Sequence, residues 1–267
     1  RATEVAPLDY RTFGHTADAY MNLENILEAE KAFEMCLKGH GDNRTYGLTG
    51  LARIERSRSN LPSAMKYIEV AIKECGIDHI PYLIKAELLR DQYKYPESEK
   101  VYDFVCLKFP EFSIPQCGKA AVLAEQKKFD EAEYTYKQAL KNYPNVEDKR
   151  KILSSLGFLV AKLGRFDESH KLLDQSITLS TYEDIIPVLS KTKVLQMEGR
   201  FKEAEKLLKS LLKSRAQFVD VVEQLLELYI KTNELEKAEM LYRKIDKNLK
   251  ESDLIQIRYS QLLKGQN

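Results

Sequence analysis

The chain has 267 residues, 43% hydrophobic and 31% charged, with 42 Lys and Arg against 41 Asp and Glu. That length buries a core without disulfides or metals, and a net charge of +1 gives no overall reason to expect nucleic acid or an anionic membrane as partner. Eleven glycines and eight prolines are few for an all-β chain full of turns, and the abundance of Leu, Ala, Glu and Lys favours helix.

Seven helical hairpins are predicted in chain order. Each is marked by two small residues twelve positions apart: Ala17 and Ala29, Ala52 and Ala64, Ala86 and Ser98, Ala120 and Ala132, Gly157 and Ser169, Thr192 and Ala204, then Leu226 and Ala238. The second small site advances by 35, 34, 34, 37, 35 and 34 residues. Four residues after it stands a large apolar side chain: Phe33, Ile68, Tyr102, Tyr136, Leu173, Leu208 and Tyr242. Small residues let two helices cross closely, and the large ones fill the gap to the next hairpin. Gly164, Gly199 and Asn233 fall where a first helix ends, as a left-handed cap requires. Pro62 and Pro96 open second helices, while Pro110 and Pro144 follow them. The step of 37 predicts a longer loop over residues 145–149. Beyond the seventh unit, residues 252–263 read as one more amphipathic helix, with Leu254, Ile257, Leu262 and Leu263 near one stripe. It would cap the last hairpin.

A period of about 34 residues carrying this pattern resembles the tetratricopeptide repeat family. The resemblance covers residues 10–249 as seven repeats, with residues 250–267 as the capping segment and residues 1–9 as linker or the tail of a preceding domain. It departs from the family pattern in having no Trp, in polar Gln116 at a large site and in Leu226 at a small one. It implies an all-α fold, a right-handed superhelical solenoid of antiparallel helix pairs.

Catalytic signatures are not found. Phosphate-cradling glycine loops, H-E-x-x-H and G-x-S-x-G do not occur. Cys36, Cys75, Cys106 and Cys117 have no C-x-x-C spacing, and His15, His40, His79 and His170 lie far apart. The expectation is therefore no enzyme, no cofactor and no metal, with buried thiols in a reducing, cytoplasmic compartment. Asn43-Arg44-Thr45 matches the glycosylation triplet but has nothing secretory beside it. No run of about 18 apolar residues spans a membrane. The N-terminal Arg1-Ala2-Thr3-Glu4 has neither an apolar signal core nor an initiator Met, which suits a piece of a longer protein.

In such a solenoid the first helix of each repeat lines the concave face. Counting from the first small site, the predicted partner-binding groove is Arg53, Arg56, Ile80, Leu83, Arg90, Ile114, Phe158, Ile186, Leu189, Lys193, Glu223 and Glu227. It reads as basic at its N-terminal end, apolar in the middle and acidic at its C-terminal end. Arg suits carboxylates and an apolar cluster anchors a hydrophobic segment. The alternative placement is packing between neighbouring first helices. Some family members grip a chaperone's terminal carboxylate with a Lys and Asn pair. Here the corresponding pairs run from Gly14 and Asp18 to Glu223 and Glu227, none of them Lys with Asn. Glu55 occupies a position that is apolar elsewhere, with Arg58 or Arg90 as expected partners.

The functional expectation is a non-catalytic scaffold or adaptor binding a protein or peptide segment, not nucleic acid. The alternative is a regulatory or substrate-recruiting arm of a larger enzyme or signalling protein whose active domain precedes residue 1. Self-association through the groove or the first repeat is a third reading.

Overall fold

The structure is a computed structural model that describes residues 10–22, 25–74, 78–181, 184–214, 219–245, 250 and 253–265. The described elements are α-helices throughout. Its contacts divide the chain into two units, one through Thr135 and one from Tyr136.

The first unit holds α1 (Tyr10–Asn22), α2 (Ile26–Cys36), α3 (Asp42–Ser57), α4 (Leu61–Glu74), α5 (Ile80–Asp91), α6 (Tyr95–Lys108) and α7 (Ser113–Glu125). The next helix, α8 (Phe129–Asn142), contains the division. Odd-numbered helices are the first of each hairpin and even-numbered ones the second. Consecutive helices from α1 to α7 pack together, and first helices also touch: α1 on α3, α3 on α5 and α5 on α7. The small sites sit at these crossings. Ala17, Ala29, Ala52, Ala64, Ala86, Ser98, Ala120 and Ala132 are fully buried. Where serine replaces alanine at position 98, its hydroxyl donates to the Ala86 carbonyl at 2.7 Å, so the buried hydroxyl is satisfied. Phe33, Ile68 and Tyr102 fill the core as the pattern requires. Two first helices also carry a glycine where a large side chain presses closest. A Cβ on Gly50 would lie 2.3 Å from the Phe33 ring, and one on Gly118 would lie 2.3 Å from the Tyr102 ring.

The second unit holds α9 (Val146–Lys162), α10 (Phe166–Thr178), α11 (Ile186–Met197), α12 (Phe201–Ser214), α13 (Val219–Lys231), α14 (Leu235–Lys244) and α15 (Asp253–Gly265). Gly157, Ser169, Thr192, Ala204, Leu226 and Ala238 are buried in it. Thr192 Oγ1 hydrogen-bonds Gln224 across the seam between α11 and α13, at 2.7 Å. Residues 146–149 correct the expectation of a longer loop. They add a turn to α9, because Asn145 caps the helix by accepting from the Asp148 amide at 2.8 Å. The final helix is corrected as well. It turns Ile255, Tyr259 and Leu262 into the core and leaves Ile257 and Leu263 exposed; the Leu254 side chain lies outside the described residues. Spacings of four and three hold one helical face, which the expected stripe through Ile257 and Leu263 does not.

The hairpin turns share one conformation. Ser59, Tyr93, Lys127, Gly164, Gly199 and Asn233 all have φ between 58° and 83°. The residue after each donates back to the helix, as in Asn60 N to Glu55 O at 2.8 Å and Arg200 N to Leu195 O at 2.8 Å. This left-handed closure satisfies the last carbonyls of the first helix. Only two of the six positions are glycine, so the sequence signal for the turn covers part of what the fold uses.

Candidate partner-binding faces

The lining is read relative to the first small site of each hairpin. An α-helix turns about 100° per residue, so positions seven apart nearly eclipse, while positions three apart diverge by about 60°. Residues six before and one after the small site therefore share one stripe. Those three before and four after share a second stripe, rotated toward the neighbouring first helix.

Exposure follows this division. Six before, Tyr46, Ile80, Ile114, Lys151, Ile186 and Asp220 are all exposed. Three before, Gly14, Thr49, Leu83, Ser154 and Leu189 are buried. This corrects two expected groove residues. Leu83 is 6% exposed and packs among Ala86, Tyr102, Val105 and Val122. Leu189 is 8% exposed and belongs to the core around α11 and α13. Ile80, Ile114 and Ile186, one helical turn earlier, are 40%, 49% and 64% exposed. Phe158, one after its small site, is half-buried against Ala161, Leu173 and Val194.

The charged zones are corrected too. In the first unit Arg56 donates to Asp91 at 2.5 Å and to Glu87, so its charge is matched within the unit. Arg90 Nε lies 3.9 Å from both Asp91 and Glu125. Arg53 stays exposed with no carboxylate partner among the described residues. At the same face the Tyr46 hydroxyl donates to Asp18, and the Tyr46 ring crosses Gly14, where a Cβ would lie 2.9 Å from it. Burial first, then the Asp18 carboxylate, pushes the Tyr46 hydroxyl up to about 12. A hollow of about 430 Å³ beside this pair is lined by His15, Cys36, His40, Asp42 and Asn43 as well.

In the second unit two acids of the expected acidic end are paired. Arg258 of α15 donates from Nε to Glu223 at 2.7 Å and from Nη2 to Glu227 at 3.0 Å. Lys193 is exposed on α11. Sequence reasoning missed Lys162 and Lys231, each five after its small site. Lys162 Nζ lies 5.1 Å from the Phe158 ring centre, and Lys231 Nζ lies 5.5 Å from that of Phe201. Extending the register by one more turn of the helix finds both.

Glu55 accepts from Arg58 at 3.0 Å and from Asn60 at 2.5 Å. Arg58 also grips Glu30 of α2 at 2.7 and 2.8 Å. This hydrogen bond holds the Glu30 carboxyl below its usual range. Arg58, held by Glu55, thus ties the end of α3 to the preceding hairpin. The Asn43 triplet lies inside α3, with Thr45 buried and Arg44 paired to Glu74 at 2.6 Å. Cys36 is buried and Cys106 half-buried, and burial pushes both thiols up; Cys75 and residues 1–9 lie outside the described residues. Among the described residues no group of His, Cys, Asp or Glu is placed to hold a metal ion, and no helix is long and apolar enough to cross a membrane.

The tetratricopeptide repeat family matches residues 85–147 and again residues 195–259. None of the curated proteins matches the chain in sequence. Solved structures do match in fold. A tetratricopeptide repeat protein from Parabacteroides merdae is 14% identical with a TM-score of 0.62, covering 97% of this chain and 99% of its own. Yeast Tom70 is 17% identical with a TM-score of 0.67, covering 96% of this chain and 54% of its own. A thermophilic tetratricopeptide repeat protein from Thermus thermophilus is 19% identical with a TM-score of 0.59, covering 70% of this chain and 99% of its own. At these identities the likeness is one of fold.

Proposed function

Because the chain belongs to the tetratricopeptide repeat family, whose repeats generally serve as protein–protein interaction modules, we propose that it is a non-catalytic scaffold holding a segment of a partner protein on the outward stripe of its first helices. One observation carries this reading. Ile80, Ile114 and Ile186 occupy the same repeat position and are all exposed, although each helix buries other residues for its core. Isoleucine kept in water at a repeated position is surface that the fold itself does not need. In the first unit Arg53 stands on this same stripe as a cation for a partner carboxylate. Since the hairpins are already packed, the face does not have to order itself on binding.

Site-specific photocrosslinking tests the reading. A benzophenone side chain is placed at Ile114 or Ile186, and in parallel at Leu107, which is exposed on second helix α6. The first two positions are expected to trap a partner protein from native extract while Leu107 traps none. Adducts at Leu107 equal to those at Ile114 and Ile186 would sink the assignment of the first-helix face.

A further inference from the structure

The charges on the first helices of the second unit do not balance. Lys151 is spent on Glu147 at 2.6 Å, Lys191 on Asp174 and Arg150 on Asp184. On the acidic side, Glu223 and Glu227 are both taken by Arg258. That leaves four exposed cations with no carboxylate partner among the described residues: Lys149 in the first turn of α9, and Lys162 on α9, Lys193 on α11 and Lys231 on α13, these last three on successive first helices. Against them stands one unpaired acid, Asp220, in the first turn of α13, where the helix N-terminus already favours its charge. Two of the four ammonium groups lie over aromatic rings, which hold the side chains without neutralising them. Exposed apolar side chains share the face of Lys193 on α11 by helical spacing: Ile186, seven before it at the first position, and Met197, four after it at the last.

Resting on the reading of the first-helix face as the partner site, we propose that the second unit selects an acidic protein segment with apolar side chains among its carboxylates. The carboxylates meet Lys162, Lys193 and Lys231, and the apolar side chains lie on Ile186 and Met197. A basic or neutral segment gains nothing at the lysines, and two of the three acids on α13 that would attract a basic one, Glu223 and Glu227, are already paired with Arg258. Charge complementarity of this kind sets partner choice and association rate, and salt weakens it.

The test is selection from a phage-displayed library of random peptides of about twelve residues, with the full chain as bait. Enriched peptides are resynthesised with a fluorophore, and their Kd is measured by anisotropy. The expected clones are rich in Asp and Glu and carry apolar residues. They lose about tenfold or more in affinity to the Lys162→Glu, Lys193→Glu, Lys231→Glu triple variant, and weaken as sodium chloride rises from about 50 to about 500 mM. A Lys→Gln triple variant, with circular dichroism matching wild type, gives the same direction if charge reversal disturbs folding. Enriched peptides without acidic bias that are nevertheless lost on Ile186→Asp would overturn the acidic selection and leave the first-helix face standing. Peptides indifferent to both sets of variants, or no enrichment at all, would overturn both.

Discussion

Arg258 Nε donates to Glu223 Oε1 at 2.7 Å, joining the last helix to the first helix of the seventh hairpin. Both side chains are largely withdrawn from solvent, and Tyr259 beside Arg258 stacks on Tyr242 with ring centres 3.7 Å apart. The cap therefore combines an apolar seam with an ion pair. It occupies a position where a further first helix would otherwise stack.

Replacing Arg258 by Met keeps the apolar stem and removes the charge. The expected loss is about 1–2 kcal/mol, because Glu223 is left partly buried without its cation. The urea midpoint, followed by circular dichroism, measures it. Adding Glu223→Gln in the same background is expected to recover part of the loss. No recovery would mean that Arg258 acts through packing alone.

Leu83 and Ile80 test the two stripes directly. Leu83→Ala is expected to cost about 2–4 kcal/mol as a core truncation, and Ile80→Ala to change stability by less than about 0.5 kcal/mol. Equal costs from thermal unfolding would reverse the assignment of inward and outward rows.

Lys127 holds φ at 63° at the end of α7. A side chain in this region carries strain of about 1 kcal/mol that glycine does not. Lys127→Gly is thus expected to stabilise the fold by about 0.5–1 kcal/mol. Gly164, at φ 78° with nothing near its missing Cβ, gives the converse: Gly164→Ala is expected to destabilise by a similar amount. Unchanged melting temperatures in both variants would refute the conformational account.

Glu205 carries a pH dependence of defined sign. The Lys209 ammonium at 2.7 Å holds its carboxyl below 4.5, with the Tyr229 hydroxyl donating at 3.0 Å. A depressed folded value adds stability above the unfolded value, and that stability is lost as pH falls through the folded one. Wild type is therefore expected to melt above Glu205→Gln at pH 7, with the gap closing below about pH 4. A constant gap from neutral to acid pH would show that the carboxylate's charge is irrelevant.

The candidate site was partly legible. Ile80, Ile114 and Ile186 follow from counting positions from the small site, because that count fixes direction around the helix. The same count placed Leu83 and Leu189 in the groove. About 60° of rotation separates their stripe from the exposed one, and a neighbouring first helix covers them. The basic and acidic ends were legible as residue types but not as free charges. Arg56 and Asp91 are 35 positions apart, as are Glu223 and Arg258, so adjacent repeats bring the partners together.

The sequence by itself determined the hairpins, because helix length, crossing points and turn positions depend on residues within one period of about 34. Small residues twelve apart can approach only if the two helices fold back on each other. Tertiary structure alone decided which polar side chains remain available to a partner. Arg56, Glu223 and Glu227 are neutralised by ions from the next helix in the stack, whereas Lys162, Lys193 and Lys231 meet none among the described residues. Pairing depends on side chains meeting across elements within about 4 Å, and the periodic pattern does not encode that distance.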